Sequence, residues 1–237
     1  MLNHCTRFFK TGLMMFLTMI TATSICSAQD WANLQRYQKA NSQLPSPQAK
    51  EQRVVFMGNS ITDVWATSYP AFFADNNYVG RGIGGQTTPQ MLVRFRPDVI
   101  DLHPAAVVIL AGTNDIAGNT GAATLEEIAG NIFSMAELAR AHQIKVVLCS
   151  VLPVFDYPWK PGLQPAEKII ALNQLIAAYA AKHQLVYLDY FTAMKDERNG
   201  MQAIYSGDGV HPNQAGYEVM MPMCRAAIEK ALKKKGK

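Results

Sequence analysis

The chain has 237 residues, with 22 lysines and arginines against 18 aspartates and glutamates, and a net charge of +4. This length suits a single α/β domain with a sizeable core. Apart from a run of lysines at the C-terminus the basic residues are scattered, so the charge pattern argues against a nucleic-acid partner.

Residues 1–28 have the pattern of a secretory signal peptide. Arg7 and Lys10 precede an uncharged apolar stretch over residues 11–25, and small residues suited to cleavage follow it. The stretch is about 15 residues long, shorter than the ~20 that cross a bilayer, so we expect export (periplasmic or secreted) rather than a stable membrane span. Lipoprotein anchoring through Cys26 is the weaker alternative, because the residue before it is not small. Cleavage after residue 28 would leave 209 of the 237 residues and, with two basic residues lost, lower the net charge from +4 to +2.

The rest of the chain alternates between apolar runs and amphipathic segments. Residues 29–50 are predicted to form an N-terminal helix, from about Trp31 to Asn41, and a linker that leads into the main domain, residues 51–237. Continuous runs rich in β-branched residues are typical of strands covered on both faces in a parallel sheet. The predicted strands are Val54–Met57, Tyr78–Arg81, Ala105–Ala111, Ile144–Cys149 and Leu185–Leu188.

Three predicted helices have clear signals. Thr124–His142 carries an apolar stripe at helical spacing and begins with a capping box of Thr124 and Glu127. Ala166–His183 and Asn213–Lys233 are the other two, and Pro222 is expected to kink or divide the last one. This alternation predicts an α/β fold, a three-layer α/β/α sandwich around a five-stranded parallel sheet.

The cysteines and histidines give no sign of a metal site. Cys149 lies in an apolar predicted strand and Cys224 in an apolar helical stretch, so we expect two buried free thiols. The sequence has no CxxC pair and no spacing typical of metal ligands, and its histidines are scattered.

Residues suited to acyl transfer follow the predicted strands. Ser60 comes after the first strand, and Asp208 and His211 lie beyond the fifth. The loops at the carboxyl ends of parallel strands form a single crevice, so these side chains can meet there. A serine hydroxyl needs a base to take its proton, and imidazole titrates near neutral pH. We therefore predict that Ser60 is a nucleophile, that His211 is its general base, and that Asp208 orients the imidazole.

Acyl transfer also builds a negative oxygen that needs aligned hydrogen-bond donors. Gly85 follows the second predicted strand and Asn114 follows the third. The predicted oxyanion donors are the N–H groups of Ser60 and Gly85 and the side-chain amide of Asn114. Each residue alone has a plainer interpretation, Ser60 as a helix cap and the other two as turn residues. Asp115 is expected to brace the Asn114 loop.

An aromatic pair, Tyr157 and Trp159, lies in the proline-bounded loop after the fourth predicted strand. Two hypotheses are open for this pair. The rings pack within the loop, or they form a wall that stacks on a sugar or an acyl group.

Taken together, these blocks resemble the SGNH (GDSL-type) hydrolase family. The matches are Ser60 in Gly-Asn-Ser, Gly85 in Gly-Gly-Gln-Thr-Thr, Asn114 in Gly-Thr-Asn-Asp, and His211 three residues after Asp208, in the family's order. The resemblance runs from about residue 53 to 228. It implies a flavodoxin-like sheet, a Ser-His-Asp triad and no cofactor. Asn59 stands where the family usually has Asp, which calls into question the hydrogen bonds that brace the Ser60 turn.

Within that family the chain looks most like the single-domain acetylhydrolases and carbohydrate esterases, including those similar to platelet-activating-factor acetylhydrolase. The expected function is an exported serine esterase that hydrolyses a small-molecule or glycan ester, with acetyl on a carbohydrate as the expected acyl group. Two alternatives stay open. One is a lysophospholipase or thioesterase for longer chains, which would need an apolar acyl channel, and the other is a catalytically silent glycan-binding module.

Overall fold

A computed structural model of the protein describes residues 30–48 and 50–234. Its centre is a parallel five-stranded sheet in the order β2-β1-β3-β4-β5. The strands are β1 (Val54–Gly58), β2 (Tyr78–Gly82), β3 (Ala106–Leu110), β4 (Lys145–Cys149) and β5 (Val186–Leu188). This is the strand order of flavodoxin-like folds, so the predicted fold class is confirmed.

Helices cover both faces of the sheet, as its apolar strands require. On β1, Val55 and Met57 pack into one core, whereas Val54 and Phe56 pack into the other. The first core is covered by α4 (Thr88–Asp98), α6 (Leu125–Ala141) and α7 (Ala166–Lys182). The second is covered by α2 (Ser60–Ser68), α3 (Pro70–Ala74), α8 (Tyr190–Met194) and α9 (Gln214–Lys233). Two short helices, α1 (Gln38–Gln43) and α5 (Thr113–Ile116), and a short 3-10 helix (Ile100–Leu102) complete the described fold.

A cluster of aromatic rings holds α2 and α3 against β1. Phe56 contacts Trp65 and Phe73, with ring centroids 5.7 and 5.1 Å apart. Trp65 in turn stacks on Phe72 at 5.3 Å. Each aromatic pair adds about 0.5–1.5 kcal/mol beyond the burial of its area. The cluster matters for the site because Ser60 is the first residue of α2.

The last helix, α9, is not divided at Pro222, whereas division was one of the two outcomes expected from the sequence. It runs undivided from Gln214 to Lys233 although it contains Pro222. Pro222 and Glu218, one turn earlier, both lie on the exposed side of the helix. Because Pro222 has no N–H, the Glu218 carbonyl lacks its usual hydrogen-bond partner within the helix. That carbonyl faces water, which can replace the missing hydrogen bond, so the proline costs the helix little stability.

The N-terminal strap, residues 30–43, also differs from the prediction. Only Gln38–Gln43 is helical, and the preceding residues form turns. The Asp30 carboxylate accepts N–H groups of Leu34 and Gln35 at 2.8 and 3.0 Å, and Asn33 has a φ of 54°, so a regular helix cannot begin at Trp31.

Other expectations concern thiols and membranes. Cys149 and Cys224 are buried and free, as predicted. The predicted signal peptide lies outside the described residues. Across residues 30–48 and 50–234, no helix combines the length and the apolar character needed to cross a membrane.

Candidate active site

The predicted site residues meet at the carboxyl edge of the sheet. The chain leaves β1 to form β2 on one side and later returns to form β3 on the other. Open parallel sheets bind ligands at such a reversal, outside the strand ends. Ser60 lies two residues after β1 and Asn114 lies four residues after β3, so both residues lie at this switch point.

Ser60, His211 and Asp208 form a continuous hydrogen-bonded chain. The distance from Ser60 Oγ to His211 Nε2 is 2.8 Å, and that from His211 Nδ1 to Asp208 Oδ2 is 2.7 Å. A carboxylate can only accept, so His211 Nδ1 must donate, and in the neutral ring Nε2 then accepts the Ser60 hydroxyl. The arrangement can take a proton from Ser60 and hold the resulting imidazolium beside a carboxylate.

The Asp208 carboxylate is held by a tight turn. Its Oδ1 accepts the N–H groups of Val210 and His211 at 2.9 and 2.7 Å, and the Ser206 hydroxyl at 3.1 Å. Partial burial raises the pKa of Asp208, but hydrogen bonds from the side chain and backbone of His211 outweigh this effect and lower it to about 2. The carboxylate is therefore ionised at neutral and mildly acidic pH. Sequence analysis missed Ser206, although a serine two residues before Asp208 in a glycine-rich turn is a usable signal.

The turn that carries Ser60 is braced without the family's usual aspartate. Asn59 is the N-cap of α2, and its Oδ1 accepts the Ile61 N–H at 3.1 Å. An amide oxygen satisfies this donor as a carboxylate oxygen would. The turn also packs tightly, because a Cβ on Gly82 would lie 2.2 Å from the backbone nitrogen of Asp63.

The loop that carries Gly85 lies beside Ser60. A Cβ on Gly84 would stand 3.9 Å from the Ser60 Cβ, and Gly85 has a φ of +76°, a conformation that favours glycine. In the described part of the chain, the N–H groups of Ser60 and Gly85 donate to no protein acceptor. Both donors are therefore free to bind a ligand oxygen.

Asn114 is tied to the same loop. It is only 3% exposed, and its Nδ2 donates to the Gln86 carbonyl at 3.0 Å, which leaves the second amide hydrogen for another acceptor. Asp115 accepts the N–H and the hydroxyl of Thr88 at 2.9 and 2.6 Å, which is the bracing role expected for it. Burial raises the pKa of this carboxyl group.

The aromatic pair divides into a buried and an exposed ring. Tyr157 is fully buried, and its hydroxyl donates to the Thr113 carbonyl at 2.8 Å, one residue before Asn114. Burial raises the pKa of Tyr157 to about 12. Trp159 is 44% exposed, with its ring centroid 5.0 Å from that of Tyr157 and 6.2 Å from that of His211. Of the two, only Trp159 offers a surface to a ligand.

Behind the site lie two buried polar residues that sequence analysis missed, Gln86 and Arg94. Arg94 donates to the Gly58 carbonyl and to Asp98, both at 2.9 Å. The i,i+4 spacing of Arg94 and Asp98 was an available signal. It was overlooked because α4 itself was not predicted.

Among the described residues, no three His, Cys, Asp or Glu side chains are grouped so that they could hold a metal ion.

The fold and the site together define the SGNH type of α/β protein. The model of the GDSL-like Lipase/Acylhydrolase family matches residues 56–219, and the chain belongs to this family.

Two solved structures resemble the whole domain. One, from Bacteroides fragilis NCTC 9343 and assigned as an acylhydrolase, is 50% identical, with a TM-score of 0.85 over 86% of this chain and 100% of that one. The other, a GDSL-like lipase from Bacteroides thetaiotaomicron VPI-5482, is 50% identical, with a TM-score of 0.83 over 84% of this chain and 98% of that one.

Curated relatives are more distant. An acetylxylan esterase from Xylanibacter ruminicola is 26% identical over 222 residues, which cover 78% of this chain and 45% of that protein. The chain spans only 32% and 45% of the lengths of the two curated relatives it matches.

Proposed function

We propose that the protein is a serine esterase that removes short acyl groups, with acetyl on a carbohydrate as the natural substrate. The observation that carries the proposal is the hydrogen-bonded chain from Ser60 through His211 to Asp208, with links of 2.8 and 2.7 Å. Free N–H donors at Ser60 and Gly85 stand beside it. These are the parts that acyl transfer requires.

The reaction has two halves. Ser60 Oγ attacks the ester carbonyl carbon while His211 Nε2 takes its proton, and the oxyanion binds the N–H groups of Ser60 and Gly85 and the Asn114 amide. The tetrahedral intermediate then collapses, and His211 returns the proton to the departing alcohol. Water attacks the acyl-enzyme with His211 again as base, which releases the acid and restores Ser60.

A short acyl group fits the surroundings of Ser60. The His211 and Asp208 side chains are 33% and 44% exposed, so the site is open. Two cavities, of about 1250 and 420 Å³, lie elsewhere, one beside the amino ends of β4 and β5 and one between the strap and α4. Neither is lined by Ser60 or His211, so neither can serve as an acyl channel from the reacting atoms. Neither cavity therefore supports the long-chain alternative, and the choice of acetyl rests on the similarity to an acetylxylan esterase.

A carbohydrate alcohol fits the exposed Trp159. Its ring lies beside His211, where the leaving alcohol departs, and Tyr157 supports it from behind. Aromatic faces at the rim of a site suit the apolar faces of sugar rings. The similarity to an acetylxylan esterase supports the same substrate class.

The proposal is tested by comparing kcat/KM for p-nitrophenyl acetate, butyrate and octanoate, together with acetate release from acetylated xylo-oligosaccharides. We expect acetate to be the best of the three esters and the oligosaccharide to be deacetylated. A preference for octanoate would instead favour a lipid or thioester substrate. Binding of the oligosaccharide without hydrolysis of any ester would favour the silent glycan-binding module.

Removal of the Trp159 ring should affect the glycan substrate selectively. Trp159→Ala is expected to raise KM for acetylated xylo-oligosaccharides by about 2–10-fold, since one aromatic contact contributes about 0.5–1.5 kcal/mol. KM for ethyl acetate should stay unchanged. Phe155→Ala is the matched control, because Phe155 is an exposed aromatic residue of the same loop that packs on Arg198. An equal effect of both variants on KM would contradict the stacking role.

A further inference from the structure

We propose that Gln86 is a positioning residue that fixes the oxyanion donors by anchoring their loop to a buried arginine and to the N-terminal strap. This inference rests on the function proposed above. It assigns a role to a side chain that touches neither the substrate nor the reacting atoms.

Gln86 is polar, yet it is only 3% exposed and both ends of its amide are used. Its Oε1 accepts from Arg94 Nε at 2.5 Å, and its Nε2 donates to the Ala32 carbonyl at 2.7 Å. Its backbone carbonyl accepts from the Asn114 amide, and Gly85 directly precedes it. One residue thus connects two of the three predicted oxyanion donors, and its side chain has a single allowed orientation.

Arg94 links this loop to the strand that carries Ser60. The guanidinium is completely buried and donates to the Gly58 carbonyl, two residues before Ser60, at 2.9 Å. It is neutralised by Asp98, also at 2.9 Å. A guanidinium is planar and its donors diverge in fixed directions. The separation between the Ser60 turn and the Gly85 loop is therefore set by one rigid group.

The strap supplies the second anchor and is itself held in place. Gln90 Nε2 donates to the Trp31 carbonyl at 2.7 Å, and the Tyr37 hydroxyl donates to the Gly82 carbonyl. Ala32, between them, is buried. Its carbonyl is consequently a fixed acceptor, and the Gln86 side chain cannot turn away from Arg94 without losing a buried hydrogen bond.

Oxyanion donors act in the transition state, so their misplacement lowers kcat rather than substrate binding. Gln86→Met keeps the length of the side chain and removes both hydrogen bonds. It is expected to lower kcat for p-nitrophenyl acetate by about 10–100-fold, with KM changed by less than about 2-fold. Gln86→Glu keeps an oxygen for Arg94 but loses the donor to Ala32, so its kcat should fall between those of wild type and Gln86→Met.

A double-mutant cycle identifies the route of the effect. If Gln86 acts through the oxyanion donors, Gln86→Met should cost a smaller fold loss of kcat when Asn114 is already alanine than in wild type, because only the Gly85 donor is then left to displace. Asn173→Leu is the matched control, because Asn173 is a buried amide that bonds the backbone of Val151 at 2.7 and 3.0 Å. This control should lose thermal stability without a comparable loss of kcat.

Amide hydrogen exchange gives a readout that does not depend on activity. Gln86→Met should speed exchange in peptides covering residues 83–88 and leave distant peptides unchanged. Unchanged exchange there, an unchanged kcat, or equal fold losses with and without Asn114 would each overturn the positioning role. If Gln86→Met does not fold, the same cycle and exchange experiment with Gln86→Glu decide the question. Wild-type activity of Ser60→Ala would overturn the proposed function instead, whatever the Gln86 variants do.

Discussion

Ser60→Ala is expected to lower kcat for p-nitrophenyl acetate by about 10⁶-fold, the loss typical when a catalytic serine is removed. The hydroxyl is the group that forms the acyl bond, and neither water nor another side chain replaces it in the same geometry. Its one side-chain hydrogen bond goes to His211, and it stands at the partly exposed first position of α2. The thermal unfolding midpoint should therefore change little, so steady-state kinetics and a melting curve together separate catalysis from folding.

A covalent label strengthens the Ser60 experiment. A fluorophosphonate should modify wild type on the peptide that contains Ser60, and mass spectrometry locates the adduct. Ser134→Ala serves as the control, since the Ser134 hydroxyl only bonds the Gly130 carbonyl one turn earlier in α6. It should keep full activity and full labelling. Labelling of another serine, or more than trace hydrolysis by Ser60→Ala, would contradict the assignment.

Asp208→Asn is expected to lower kcat by about 10⁴-fold. The carboxylate accepts from His211 Nδ1 at 2.7 Å and so keeps the proton on that nitrogen. An asparagine amide can instead donate to Nδ1, which favours the tautomer that carries a proton on Nε2. In that tautomer His211 Nε2 carries a hydrogen, so it cannot accept the proton of the Ser60 hydroxyl. Steady-state kinetics at neutral pH should show this loss in kcat.

Asp208 should also affect how the stability of the folded protein depends on pH under acidic conditions. Its pKa of about 2 lies below the ordinary value of 3.8. A depressed pKa means that the ionised carboxylate stabilises the folded protein above about pH 4 and that this contribution is lost as pH falls towards 2. The contribution is modest because the side chain is 44% exposed. Removing the charge should therefore flatten the acid limb of the stability curve, measured by urea unfolding between pH 2 and 5.

Asp189→Asn is the matched control for Asp208→Asn. Asp189 is also a turn carboxylate, which accepts the N–H and the hydroxyl of Thr192 at 3.0 and 2.6 Å. Its loss should weaken the cap of α8 by about 1 kcal/mol or less and leave kcat unchanged. If Asp208→Asn retains kcat within about 10-fold of wild type, another group orients His211 and the triad assignment is wrong.

The sequence was most informative where a strand is followed by a reactive residue. Apolar runs located all five strands to within a residue or two at each end, because strands buried on both faces need continuous apolar sequence. The candidate site followed from the same pattern, since Ser60, Gly85 and Asn114 stand just beyond three strand ends. The rule that parallel strands place their carboxyl-end loops in one crevice brought Ser60 together with the distant Asp208 and His211, and the resemblance to a known family supported the same grouping.

What the sequence did not predict depends on tertiary partners. Helix α4 contains Pro89 and Pro97 and buries Arg94 and Asp98, so it lacks the expected apolar stripe. A buried charged residue is acceptable there only because carbonyl and carboxylate partners arrive from other elements. The burial of Tyr157 likewise depends on Thr113, whose backbone carbonyl and hydroxyl both bond the Tyr157 hydroxyl.

The contacts of the N-terminal strap limit how far this domain can be shortened. The stretch outlined by family similarity begins at residue 56 and stops at residue 219. The strap lies before it, and the last turns of α9, with buried Cys224, Ile228 and Ala231, lie after it. A protein trimmed to the similar stretch would expose the underside of α4 and part of the second core. A shortened protein for crystallisation, or for fusion to another module, should therefore keep residues Asp30 to Lys233.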